Sequence, residues 1–289
     1  MSINWYPGHM KKATDEIRQK LSLVDLCCEI RDARIPSSSA NEALRLLTAK
    51  KKHIILLNKK DMADAKETEK WIQALQQKGQ TALAINAVHE RPAKALYDLA
   101  ATLLAEEQSK RKEQSRINRE IRLLVYGIPN AGKSTFINAM SGKRSAAVGD
   151  RPGFTKQQQW IKTDADLLLL DTPGILPKKL TERQSLFLAC TGAIRDDILP
   201  LQDIGYWLLE LLLTLAPKAV TDRYSLAENE GERETLGVME SIARYTGSLL
   251  RGGEIDYTRT AAILLDDFRK LRFGRITLES APIAQKDEE

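Results

Sequence analysis

The feature that most narrows the folds open to this chain is a nine-residue loop, GIPNAGKST, from Gly127 to Thr135. It follows the apolar run LLVY and precedes a stretch with helical patterning, so the motif G-x-x-x-x-G-K-[ST] sits between a strand and a helix. Gly127 and Gly132 let the backbone curl until its N–H groups face a phosphate at the positive end of the new helix. Lys133 is placed to span two phosphates and Ser134 to ligate magnesium, with Asn130, Ala131 and Thr135 completing the cradle. Average residue frequencies give this pattern by chance in about one chain of this length in a hundred. A mere glycine turn is therefore a poor account of it.

Two further apolar runs end in polar clusters that suit a nucleotide. DLLLLDTPG places Asp171 at a strand end, where a carboxylate can hold a magnesium-bound water, and Gly174 can offer an unhindered N–H to a γ-phosphate. HIILLNKKD closes a third strand with Asn58, Lys59 and Asp61. The Asp61 carboxylate can accept from the N1–H and 2-amino group of guanine, an edge that adenine lacks. N-K-x-D arises by chance in about one chain in twenty-five, so its weight comes from its position and from the phosphate loop. Asn86 and Ala87, after the strand ALAI, fit a loop that supports the base through a backbone N–H, with Asn86 where serine is usual.

Strand-length apolar runs alternate with helical patterns: Leu23 to Ile30, Ala40 to Lys50, His53 to Leu57, Ala63 to Lys78, Ala82 to Ile85, Ala93 to Leu104, Ile121 to Tyr126 and Leu167 to Leu170. This alternation predicts an α/β domain with a doubly wound parallel sheet and a ligand site at the carboxyl ends of its strands. From about Thr181 amphipathic helical stretches dominate. The expected division is residues 1–178 as the nucleotide domain, with a charged linker near 106–119, and 179–289 as a small all-helical C-terminal domain. The apolar stretch from Tyr206 to Pro217 falls short of the ~20 residues a bilayer requires and reads as a buried helix, so no membrane span is expected. The start of the chain lacks the features of a secretory signal. Cys27, Cys28 and Cys190 have no metal-ligand spacing and read as buried free thiols of a reducing, cytoplasmic setting.

The formal net charge of +5 conceals an asymmetry. Residues 180–289 hold 13 basic and 19 acidic side chains, and residues 1–179 hold 31 and 20. A basic excess on one part fits a polyanionic partner such as nucleic acid, and equally a face that only confers solubility. In the acidic tail, Arg269, Lys270, Arg272 and Arg275 are the better candidates for RNA contact.

The guanine-reading motif precedes the phosphate loop, the reverse of the usual order. In that order, and together with WYPGHMKKA, RDARIPSSS (Arg31 to Ser39), GDRPGFT (Gly149 to Thr155), DTPGIL and TGAIRD (Thr191 to Asp196), the chain resembles the circularly permuted GTPases of bacterial ribosome assembly, the ribosome biogenesis GTPase A family. The resemblance covers nearly the whole length. It implies a P-loop GTPase domain that binds GTP and GDP with Mg2+, and a monomer acting on large ribosomal subunit precursors, binding rRNA and leaving after hydrolysis. It matches Thr155 to the switch threonine that meets magnesium and the γ-phosphate in the GTP state, so the metal set is Ser134, Thr155 and Asp171. Asn130 resembles the asparagine of GTPases stimulated by K+.

Where many GTPases carry a water-orienting glutamine, directly after Gly174, stands Ile175, which cannot orient water. The family's candidate for that role is His9, a neutral imidazole being able to accept from the attacking water. The catalytic set is thus His9, Lys133, Thr155 and Gly174, with His9 open to a surface or packing role instead. Trp5 and Tyr6 could pack as an anchor or stack on RNA. Two other functions remain open at this point: a GTPase driving an RNA-modification partner, and a passive RNA-binding module with a vestigial site. Asp61→Asn is expected to move nucleotide preference from guanosine towards xanthosine, read by competition binding; retained GTP selectivity would remove Asp61 from base recognition.

Overall fold

A computed structural model of the chain describes residues 8–106, 109, 120–141, 159–163, 165–177, 179–227 and 234–282. Trp5, Tyr6, Thr155 with the rest of GDRPGFT, and most of the expected linker lie outside the described residues, as does the side chain of His9.

Six strands form one sheet in the order β3-β2-β1-β4-β6-β5. They are β1 (Leu26–Asp32), β2 (Lys52–Asn58), β3 (Thr81–Ala84), β4 (Ile121–Gly127), β5 (Gln159–Lys162) and β6 (Leu167–Asp171). The helices are α1 (Gly8–Lys20), α2 (Glu42–Leu47), α3 (Ala65–Gln77), α4 (Ala93–Leu103) and α5 (Lys133–Ser141), then α6 (Glu182–Cys190), α7 (Leu201–Leu215), α8 (Pro217–Tyr224), α9 (Thr235–Thr246) and α10 (Tyr257–Arg269). The sheet is not wholly parallel as expected: β5 runs antiparallel to β6. Only four residues, Thr163 to Asp166, separate the two strands, and so short a connection permits only an antiparallel hairpin. The strand escaped the sequence reading because Trp160 and Ile161 are its only apolar residues.

The central strand β1 is buried along its whole length, although it reads LCCEIRD. It pairs in parallel with β2 and with β4, so the strand that ends at Asn58 and the strand that leads into GIPNAGKST lie at its two edges. Its charged C-terminal end, Arg31 and Asp32, continues the strand two residues beyond the expected apolar run because those charges find buried partners. Helix starts are marked by side-chain caps: Asn41 accepts from Leu44 N, Asp64 from Glu67 N, Thr181 from Gln184 N and Asp256 from Arg259 N. All three cysteines are buried free thiols, and burial pushes Cys27 and Cys190 up to about 12.

The apolar core is continuous from the sheet into the C-terminal helices, running from Ala13 and Leu26 to Leu264 and Phe268. The stretch expected as a buried helix is α7, which buries Ile204, Leu208, Leu209 and Leu212, each contributing about 1.5–3 kcal/mol. Among the described residues no single helix is long and apolar enough to cross a membrane; α7 and α8 together have the composition but break by 115° at Pro217.

After α10 the chain returns to the sheet as an extended strap. Thr277 Oγ1 accepts from Asp64 N at 3.0 Å, and Leu278 N donates to Arg34 O at 2.8 Å. The Glu279 carboxylate accepts from Ser37 N, Ser38 N and Ser38 Oγ, while its carbonyl accepts from Trp71 Nε1 at 2.8 Å. Burial pushes the Glu279 carboxyl up, and the bonds from Ser38 and Ser37 oppose that. Glu279→Ala leaves the N–H groups of Ser37 and Ser38 without their acceptor and is expected to cost about 2–3 kcal/mol. Urea unfolding measures this, and an unchanged midpoint would show that the strap adds nothing to stability.

Candidate nucleotide site

Strand register brings the motifs to one edge. Asp32 lies opposite Asn58, Ile30 opposite Gly127 and Val125 opposite Asp171. Three loops far apart in sequence therefore open side by side at the carboxyl ends of β2, β4 and β6, where an α/β sheet binds its ligand.

The phosphate loop takes two left-handed residues, Asn130 (φ 57°) and Gly132 (φ 90°). A Cβ on Gly132 would stand 2.2 Å from Asn58 Nδ2, so the position admits only glycine. Asn58 Nδ2 donates to Ala131 O at 2.9 Å, and Asn58 Oδ1 accepts from Ala87 N at 3.1 Å. One buried carboxamide thus ties the phosphate loop to the loop after β3. Ala87, expected to support the base with its N–H, gives that donor to Asn58. Asn86 caps the same loop: its Oδ1 accepts from Val88 N and His89 N, and its own N–H goes to Glu90. Lys59 is left-handed (φ 64°), and its Nζ donates to Asn130 O at 2.5 Å and to Asp32 Oδ2 at 3.0 Å. Asp61 is half-buried, close enough to Lys59 to oppose the lowering of its pKa by burial.

Lys133 opens α5 and pairs its ammonium with Asp171 Oδ1, both side chains almost fully buried. Burial pulls the Lys133 pKa down while Asp171 holds it up. Asp171 Oδ2 is buried without a partner, an acceptor aimed beside the phosphate loop. Ser134 and Thr135 are half-buried in the first turn of α5. An anionic oxygen left unpaired next to a lysine and a helix N-terminus suits a magnesium-chelated phosphate. Gly174 lies flat on the loop: a Cβ there would be 2.9 Å from Pro129 N and Cα. Ile175 is buried, donates its N–H to Gly127 O at 3.2 Å and accepts from Asn41 Nδ2 at 2.7 Å. It is a packing residue that steadies this segment.

Three connections tie the site to the rest of the fold. Glu29 takes Arg31 and the N–H of Asn41, so an ion pair inside β1 supports the residue that holds Ile175. Asp32 binds Arg34 through both oxygens as well as Lys59. Charges inside an otherwise apolar strand were the available signal for both. Asn130 Nδ2 donates to Gly192 O at 2.7 Å, which joins the phosphate loop to TGAIRD. Arg269 caps α6 through Ala189 O and Cys190 O and pairs with Asp196, so its donors are spent within the fold; Arg272 and Arg275 are exposed.

The fold and this arrangement define a P-loop GTPase in which the strand ending in NKKD precedes the phosphate loop. Residues 122–216 match the family described as 50S ribosome-binding GTPase. Ribosome biogenesis GTPase A of Bacillus licheniformis is 42% identical over 280 residues, covering 96% of this chain and 98% of that protein, and the Thermotoga maritima protein of the same name is 32% identical over 96% of this chain. The structure of GDP-bound YlqF from T. maritima superposes with a TM-score of 0.66 at 27% identity, covering 92% of this chain, and the GNP-bound form with 0.65. The chain belongs to the ribosome biogenesis GTPase A family: it binds guanine nucleotide, hydrolyses GTP and acts in ribosome biogenesis. Gly132→Ala, which drives a methyl group into Asn58, is expected to weaken GDP binding by about fivefold to a hundredfold, since strain of this kind costs about 1–3 kcal/mol. Fluorescent-nucleotide titration checks this, and unchanged affinity would show that the loop bends elsewhere.

Proposed function

We propose that this GTPase acts on late precursors of the large ribosomal subunit, binding them in the GTP state and leaving after hydrolysis. The match of residues 122–216 to the family described as 50S ribosome-binding GTPase supports the particle, and the Lys133–Asp171 pair with its spare carboxylate oxygen, framed by the Asn58 brace, supports the nucleotide chemistry. Ser134, Asp171 and Thr155 would hold Mg2+, which neutralises phosphate charge when bound. Lys133 then leaves Asp171 for the β- and γ-phosphates, where a buried ammonium is strongest. Asp61 and Lys59 read guanine, and the Gly174 N–H meets the γ-phosphate. Asn130, through its side-chain oxygen, is the residue to assist a K+ ion.

Because Ile175 is buried, water activation falls to another group, and His9 on α1 is the candidate. Residues 1–178 form the nucleotide unit and 179–289 the helical unit that, with exposed Arg272 and Arg275, meets rRNA or a ribosomal protein. The contacts of Asn41 with Ile175 and of Asn130 with Gly192 give a route by which the phosphate state reaches those helices. The protein works as a monomer in the cytoplasm, slowly by itself and faster on the particle.

The test compares GTP turnover with and without large-subunit precursor particles. Stimulation is expected for the native protein, loss of turnover for Lys133→Ala, and intact GDP affinity without stimulation for His9→Ala. Equal rates with and without particles would reject the reading, and stimulated turnover in His9→Ala would remove that residue from the chemistry.

A further inference from the structure

We propose that Asp32 is a positioning residue for guanine-nucleotide binding: its buried carboxylate sets the Lys59 ammonium against the phosphate loop and, through Arg34, makes that setting depend on α10. The proposal rests on nucleotide binding at this site and not on the ribosomal reading.

Asp32 ends β1 and is 1% exposed. Its Oδ1 accepts from Arg34 N and Arg34 Nε, both at 3.0 Å, and its Oδ2 from Arg34 Nη2 at 2.7 Å and Lys59 Nζ at 3.0 Å. Burial raises the carboxyl, but Arg34 and Lys59 outweigh it and hold the group well below the usual range, so it is charged at every working pH. Lys59 occupies a left-handed conformation that costs a side-chain-bearing residue about 1–2 kcal/mol, so its backbone has to be held there. Its Nζ partners are Asp32 and the carbonyl of Asn130 in the phosphate loop. The ammonium is therefore the stitch between the base-reading loop and the phosphate loop, and Asp32 supplies the only anionic partner it hydrogen-bonds among the described residues.

A core ion pair between Asp32 and Arg34 would need neither Lys59 nor a link to the nucleotide motif. The additional bond to Lys59 gives this carboxylate a role beyond packing. Arg34 extends it in the other direction: its guanidinium lies 5.6 Å from the centre of the Phe268 ring on α10, and its carbonyl accepts from Leu278 N. A shift of α10 or of the strap is thereby felt at Lys59 through one intervening carboxylate.

The test is nucleotide affinity of the full chain, read by titration with fluorescent GDP and a non-hydrolysable GTP analogue. Asp32→Asn keeps the shape and removes the charge; loss of the charge-assisted bond to Lys59 is expected to weaken both nucleotides alike by about tenfold, with the loss appearing in KM and kcat kept within about twofold. In a Lys59→Met background the same substitution is expected to change affinity by less than about twofold, because the two residues act as one unit. A purely structural ion pair would instead leave the GDP affinity of the folded protein unchanged or add in full to Lys59→Met; either result overturns the proposal. Should Asp32→Asn not fold, Arg34→Lys decides: it keeps the cation but loses the fork, so weaker GDP binding supports the coupling and unchanged binding overturns it.

Discussion

The Asn58 carboxamide is the contact on which the rest of the site depends. One side chain accepts from the loop after β3 and donates to the phosphate loop, and the missing Cβ of Gly132 is what lets it do both. A hydrogen bond of this kind adds only about 1 kcal/mol to stability, but here it joins loops carried by three different strands. Circular permutation leaves it intact, because β1 still stands between β2 and β4 whatever the order in which they are made. The chemistry of the edge is a property of the sheet, and connectivity only decides which loop leads to the helices.

Charge is buried at this edge in an ordered way. Glu29 with Arg31, Asp32 with Arg34 and Lys59, and Lys133 with Asp171 each neutralise one another inside a strand end or loop base. Removing either member of such a pair is costly, whereas the intact pair contributes little net stability, so the benefit lies in specifying position. Of these pairs, only the one at Asp171 retains an unused acceptor.

Most of the architecture was legible in the sequence because the nucleotide motifs carry their own context. GIPNAGKST, NKKD and DTPG each close an apolar run, and each lies at the end of a strand in the same sheet. What could not be read were features decided by partners distant in the chain. The antiparallel β5 has almost no apolar pattern, and β1 continues through Arg31 and Asp32 because Glu29, Arg34 and Lys59 meet them. The bond from Ala87 N to Asn58 likewise depends on the approach of β2 and β3. The ties of Arg269 are of the same kind: its acceptors on α6 lie 79 and 80 residues away.

The strap has a consequence for how this protein comes into being. Ser38 and Glu279 are 241 residues apart, so at ~5–20 residues per second of synthesis the loop between β1 and α2 waits roughly ten to fifty seconds for its carboxylate. During that interval β1, β2 and their loops are already made, while the segment that bonds to Ser37 and Ser38 is still to be translated. The bonds to Ser37 and Ser38 therefore close only after residue 279 has been made.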